Sequence, residues 1–455
     1  MPEVTKSAAD KPALTSATVI VVRTTRSLAA ATVSLAIFVG SCASADPTAT
    51  GLDGVVTDGD PSGVTVPLAE EANTQNDRRD EPSVPTTAPA ATTTVATTTT
   101  SVPIPTPEEC ADEIPIDVRV GQLLFPVVTQ SELPAATQLA AAGHIGGIVL
   151  LGSPSSTIGA DLATLQANSM VGPSIVSVDE EGGRVQRVAG LVGAIPSARS
   201  QASNLTPDEV VTLTQGHAEQ LGGLGFTMNL APVLDLDTGV FIRDRAFSAD
   251  PTVVSQYALA TAQGIRSAGL DPVAKHFPGH GRGTDSHTGL PTVPPLSELR
   301  TADLLPFIDF IDGGGEAIMI GHVIVPDVTQ DLPASLSREI ITDLLRDELG
   351  FNGVVITDAF NMDAIAVDFT NPQAAEASIA AGVDLAMLGN LADVDATITQ
   401  LIIAVSEGRI EEQQLNESFV RVLRLKGLEV CELPADIAPA IACNGVGFGA
   451  CGAPG

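Results

Sequence analysis

The stretch from about residue 113 to 430 predicts an α/β fold, a (β/α)8 barrel of the TIM type forming a single catalytic domain. Short apolar runs alternate with longer amphipathic ones, the pattern of parallel strands joined by helices. Eight such units fit in this length, as a barrel requires. Polar side chains recur at the ends of the apolar runs, where such a barrel carries its chemistry. A doubly wound open sheet would share the alternation and is the competing fold.

In chain order the strand candidates are "QLLFPVV" (122–128), "GGIVLLG" (146–152), "PSIVSVD" (173–179), "TMNLAPVLD" (227–235), "PVAKHF" (272–277), "EAIMIGHV" (316–323), "GVVITD" (353–358) and "VDLAMLG" (383–389). Helix-length segments with start and stop signals lie between them. "TPDEVVTLTQGHAEQLGGLG" has Pro207 just inside its start, "DPTVVSQYALATAQGIRSAG" opens on an Asp-Pro, and "SREIITDLLRDELG" closes on Gly350. Asp179, Asp235, Lys275 with His276, His322 and Asp358 fall at the ends of the third to seventh runs. A buried apolar strand has no packing reason to end repeatedly in charge, although strand ends exposed to water would tolerate it.

The flanks read differently. Residues 1–42 carry Lys6, Lys11, Arg23 and Arg26 ahead of "SLAAATVSLAIFVGSC", an apolar stretch too short for a comfortable transmembrane helix and suited to an export signal. Its ending "VGSC" resembles the lipobox of bacterial lipoproteins, with Val39 in place of the commoner leucine. The resemblance implies a lipid-modified Cys42 as the first mature residue and a membrane-anchored protein on the extracytoplasmic side. Ordinary cleavage near "ASA" would give a secreted one instead. Residues 43–109, with "TTAPAATTTVATTTTSVPIPTP", have no period that could bury a face and read as a disordered tether. As a flexible coil it would reach roughly 45 Å, enough to hold a catalytic head off a membrane. The domain is expected over 110–430 and a Cys- and Gly-containing tail over 431–455.

A formal charge of −33 repels phosphate backbones and anionic head groups, which argues against nucleic acid as a partner and for neutral or cationic substrates. An acidic surface also simply favours solubility. Beyond Cys42 the thiols are Cys110, Cys431, Cys443 and Cys451, which an exported chain can pair in three ways. Cys110 with Cys431 would bracket the folded region.

Three of the six histidines crowd into "KHFPGHGRGTDSH" (275–287) among glycines. No His-x3-His, HExxH or paired-cysteine spacing accompanies them, so no metal or other cofactor is expected, and "GHGRG" lacks the order of a phosphate loop. An acid–base dyad remains. Asp285 and His287 would point the same way on an extended backbone, the carboxylate holding the ring in one tautomer and favouring its protonated form. The plain alternative is a histidine that satisfies a loop backbone.

"VDEEGGRVQR" (178–187), "NLAPVLD" (229–235), "IRDRAFSADP" (242–251), "KHFPGHGRGTDSH" (275–287) and "GVVITDAFNMDAI" (353–365) resemble, in this order, the motifs of the β-N-acetylhexosaminidases of glycoside hydrolase family 3. The resemblance implies a retaining exo-β-N-acetylglucosaminidase that forms a covalent glycosyl-enzyme. It implies Asp358 as nucleophile, and His287 as acid/base with Asp285 as its partner, on a loop that closes over the sugar. Asp179, Arg187, Arg245, Lys275 and His276 match residues that hold the terminal sugar. His280 and His322 receive no role. Histidine in place of a carboxylic acid repels an incoming anion less, so phosphate could compete with water for the intermediate.

Within the family, a β-glucosidase usually takes its acid from a second α/β domain. Only 25 residues follow position 430 here, and the "DSH" loop supplies an acid, so the N-acetylglucosaminidase is favoured. With no Trp and one Tyr, a pocket for one terminal sugar is expected, unless Phe277 or Phe360 stacks on a longer glycan. Peptidoglycan fragments and chitin-derived oligosaccharides both fit as substrates of an exported monomer, in peptidoglycan turnover or amino-sugar scavenging. A lipoprotein that binds sugar without cleaving it, and a metal-dependent barrel hydrolase, remain as other classes.

Overall fold

In the computed structural model the described residues are 105–433 and 437, within the second of the two units of the chain, Thr97–Gly455. The export signal with Cys42, most of the tether, Cys443, Cys451 and nearly all of the tail lie outside them.

The architecture is α/β, with a curled parallel sheet of seven strands. In chain order its members are β1 (Val127–Val128), β2 (Gly147–Leu150), β3 (Ile175–Val178), β6 (Met228–Asn229), β7 (Asp271–Phe277), β8 (Ala317–Ile320) and β9 (Val354–Thr357). A separate antiparallel hairpin, β4 (Glu180–Gly182) with β5 (Val185–Gln186), follows β3. Every residue of β2, β3, β8 and β9 is buried, as expected where helices cover the outside of a parallel sheet and side chains fill its inside.

Three departures from the sequence reading have physical causes. The fourth strand is two residues long, because Pro232 has no N–H to donate; the chain still follows β7, with Leu234 donating its N–H to the Lys275 carbonyl at 2.6 Å. The eighth candidate, 383–389, makes isolated bridges, Leu385 to Ile356 and Ala386 to Leu124, in place of a continuous ladder. Its backbone is nonetheless bonded on both sides: Thr357 and Phe360 donate to the carbonyls of Leu385 and Met387, and Phe125 and Val127 to those of Ala386 and Leu388. The tether does not run to residue 109, since Pro107–Asp112 is helical. Thr106 and Glu109 close a capping box around a proline at the helix start, which fixes residues 106–109 at the end of the expected tether.

The helices begin as their sequences direct. Thr206 and Glu209 cap Pro207–Gly223, and Asp250 caps Pro251–Ser267 by accepting from the Thr252 N–H. The segment Glu339–Glu348 is wound as a π-helix and ends at Gly350, whose φ of +73° suits glycine. A disulfide joins Cys110 to Cys431 across 321 positions, so Cys431 belongs to the folded domain and not to the tail. Among the described residues no helix is long and apolar enough to cross a membrane.

Candidate active site

The carboxyl ends of the strands surround a cavity of about 590 Å³. All eight side chains expected to act on the sugar line it: Asp179, Arg187, Arg245, Lys275, His276, Asp285, His287 and Asp358. They come from segments up to 179 positions apart, since Asp179 follows β3 and Asp358 follows β9.

The register of β7 explains how two neighbouring residues face one cavity. Lys275 pairs with Met319 and Phe277 with Ile320, so His276 is the unpaired residue of a bulge and escapes the alternation that would turn it away. Lys275 Nζ lies 2.8 Å from Asp179 Oδ1 and 2.7 Å from Glu181 Oε1. Arg245 donates from Nε and Nη2 to the two oxygens of Glu181, each at 2.8 Å. Burial opposes both charges of this knot, yet the pairing wins: Lys275 and Arg245 are held above their usual pKa ranges and Glu181 well below the carboxylate range. Arg187 reaches Asp179 at 3.4 Å.

Glu181 is the main functional residue that the sequence reading missed. It sits inside the quoted "VDEEGGRVQR" beside an equally acidic neighbour, and only the hairpin separates their fates. Glu180 points into the fold, accepting from the Val188 N–H at 2.6 Å, from Gln186 Nε2 at 2.9 Å and pairing with His217 Nε2 at 2.9 Å. Glu181 faces the cavity.

Asp235 organises the histidine loop from below. Its Oδ2 accepts a hydrogen bond from His276 Nδ1–H at 2.7 Å, and its Oδ1 accepts from the His280 backbone N–H at 2.6 Å. His276 Nε2 is thereby turned to Asp358, 3.9 Å from Oδ2. Burial works to raise the Asp358 carboxyl, but His276, His322 and the Ala359 N–H outweigh it and keep the group ionised, as a nucleophile must be. His322 is a support: its Nε2–H donates to the Ala359 carbonyl at 3.1 Å while Nδ1 accepts from Ser335 Oγ at 2.7 Å.

The dyad forms by a route other than the extended backbone expected. Asp285 caps a short turn, Ser286–Thr288, and one oxygen, Oδ1, accepts from both the backbone N–H and Nδ1 of His287, each at 2.9 Å. An aspartate at the start of a turn folds back onto the residue two positions on, which brings the pair together without strand geometry. Nδ1 is occupied and Nε2 is left for proton transfer. His287 is 61% exposed and Asp358 11%, so the dyad stands at the mouth and the Asp358 carboxylate on the floor.

Phe277 and Phe360 are buried and do not line the cavity; the aromatic ring that does is Phe241. The lining carries four cations, Arg184, Arg187, Arg245 and Lys275, against four carboxylates, Asp179, Glu181, Asp285 and Asp358. The cavity is thus balanced in charge inside a strongly acidic chain, which suits a neutral ligand.

Comparison with known proteins agrees with this geometry. Residues 115–425 match the glycosyl hydrolase family 3 N terminal domain. The β-hexosaminidase LpqI of Mycobacterium tuberculosis is 38% identical over 357 residues, 74% of this chain and 91% of that protein. A crystal structure of a family 3 glycosyl hydrolase from Mycobacterium smegmatis superposes with a TM-score of 0.67 at 37% identity, over 70% of this chain and 99% of the other. The family 3 β-N-acetylglucosaminidase of Paenibacillus sp. gives 0.66 at 30% identity, over 74% of this chain and 65% of its own. This chain, with its charge-balanced cavity at the carboxyl ends of a parallel sheet, belongs to glycosyl hydrolase family 3 and is a glycoside hydrolase.

Proposed function

We propose that the protein is a retaining exo-β-N-acetylglucosaminidase that removes a terminal β-linked N-acetylglucosamine. The observation that carries this reading is that Asp358 and the Asp285–His287 pair line one cavity, the carboxylate deep and the imidazole at the rim. In the first step Asp358 attacks the anomeric carbon while protonated His287 gives its proton to the glycosidic oxygen, and the bond to the leaving group breaks. In the second, neutral His287 takes a proton from water, the water oxygen bonds to the anomeric carbon, and Asp358 is released as carboxylate. Asp179, Arg187, Arg245, Lys275 and His276 hold the sugar, with Glu181 fixing Arg245 and Lys275 in place.

The relatives named as β-hexosaminidase and β-N-acetylglucosaminidase support the choice of sugar. Support for a closed eight-unit barrel comes from the backbone bonds of segment 383–389 to both edges of the sheet. Lipidation at Cys42 would anchor the enzyme, acting as a monomer, on the extracytoplasmic face, where peptidoglycan fragments are within reach.

The test is release of the aryl group from an aryl β-N-acetylglucosaminide with a chelator present. Release of free N-acetylglucosamine with retained configuration is expected. Binding of the sugar without release would replace the reading by a binding protein, and activity abolished by the chelator would replace it by metal chemistry.

A further inference from the structure

The loop from Pro278 to Gly289 carries the dyad, and its two halves are held differently. In the first half His280 is 1% exposed, and its Nε2–H donates to the Thr284 carbonyl at 2.8 Å. Gly281 lies so close to the Leu236 carbonyl that an added Cβ would come within 2.0 Å of it. In the second half the side chains of Asp285 and His287 are 41% and 61% exposed. Arg282 stands between. Its Nη2 is 2.9 Å from Asp303 Oδ2, and its Nη1 pairs with Glu298. Both acids lie outside the loop, Glu298 in the short helix Leu296–Leu299 and Asp303 in the turn that follows.

Asp303 is an unusual partner. Its side chain is 1% exposed, and among the described residues neither of its oxygens accepts a hydrogen bond from another side chain. A buried carboxylate so poorly solvated depends on its counter-charge, and the cation is supplied by the loop itself. Gly279, at the base of the loop, packs against the Asp303 Cβ, at a distance of 2.8 Å from where its own Cβ would be.

We propose that Arg282, bridging Asp303 and Glu298, is the latch that sets the position of the Asp285–His287 dyad over the sugar. Arg282 is a positioning residue: it does not line the cavity and acts through the loop. The proposal rests on the reading of His287 as acid/base. Lifting the loop would strip Asp303 of its cation, and the cost of leaving that charge alone is what keeps the latch closed. Burial pushes the Asp303 carboxyl up to about 6, with Arg282 pulling it down and the charges of Asp235 and Glu298 adding to the rise.

The experiment measures kcat/KM, which reports the first bond cleavage, on aryl and alkyl β-N-acetylglucosaminides spanning a wide range of leaving-group acidity. The enzymes are the wild type, His287→Ala, Arg282→Gln, Arg282→Lys and Asp303→Asn. A misplaced acid harms substrates whose leaving groups need protonation, so Arg282→Gln and Asp303→Asn should lose about tenfold or more on the alkyl glycosides and about twofold or less on dinitrophenyl glycosides. Arg282→Lys should recover most of the loss. Uniform losses on all substrates, or none, while His287→Ala stays selective, would overturn the latch alone. An unselective His287→Ala would overturn the acid/base reading beneath it. Arg282, with a side chain 24% exposed, decides the matter if Asp303→Asn does not fold.

Discussion

Replacing Glu181 by glutamine keeps the shape of the side chain and removes its charge, and the consequence can be worked from its surroundings. The carboxylate is 3% exposed, accepts two bonds of 2.8 Å from Arg245 and stands 2.7 Å from Lys275 Nζ. Glutamine retains one acceptor oxygen and turns an N–H2 group toward a cation that needs an acceptor. Two charge-assisted bonds lost amount to about 3–6 kcal/mol. Removing one partner of a buried ion pair costs about 3–5 kcal/mol, and the two ranges overlap. Asp179 compensates only in part, because its Oδ1 is already bonded to Lys275 at 2.8 Å. Urea denaturation at neutral pH is the assay, since urea, unlike guanidinium chloride, does not screen charges. The pH dependence has a definite sign. Glu181 is depressed in the folded protein, so its stabilisation is present above the unfolded value of about 4.3 and lost as the pH falls below it toward the folded value. The gap between wild type and Glu181→Gln should be constant from neutral pH down to about 5 and shrink only in stronger acid. A gap under about 1 kcal/mol, the worth of a surface pair, would refute the reasoning, as would one that widens on acidification.

Three further outcomes are expected. Asp358→Ala should remove nearly all turnover, and a variant that keeps roughly a third of the wild-type kcat would eliminate this residue as nucleophile. Cys110→Ser should lower stability to urea by about 2–5 kcal/mol, with reductant bringing the wild type to the same midpoint; a variant as stable as the oxidised protein would show that the cross-link carries no stability. Cys42→Ala, expressed with its export signal, should shift the protein from the membrane to the soluble fraction, and an unchanged distribution would dispose of the lipid anchor.

Much of the fold was legible because parallel strands buried on both faces read as apolar runs. Five of the eight strand candidates coincide with strands of four or more residues, while the first and fourth shrink to two residues each and, with the eighth, show where pattern stops being informative. Pro232 in "TMNLAPVLD" was visible and would have shortened that strand had its missing donor been weighed. "VDLAMLG" is as apolar as its neighbours, and its irregular pairing arises from contacts with both sheet edges that no local pattern records. The polar strand ends proved a good guide to the cavity. They did not distinguish Asp358, which lines it, from Asp235 and His322, which support it from behind. Glu180 and Glu181 are alternating neighbours of one hairpin, and without the hairpin no argument from periodicity sends one inward and the other to the site. The dyad was found by residue type while its backbone was misjudged, because a capping aspartate makes the same contact that an extended chain would.

The bond between Cys110 and Cys431 encloses nearly all of the catalytic domain in one covalent ring. A protease that cuts once inside a ring opens it without setting a fragment free. On the proposed extracytoplasmic side, where hydrolases abound, a single nick in an exposed turn would leave every cavity side chain still fastened to the same molecule, and the packed sheet could hold the halves in register until a second cut released one.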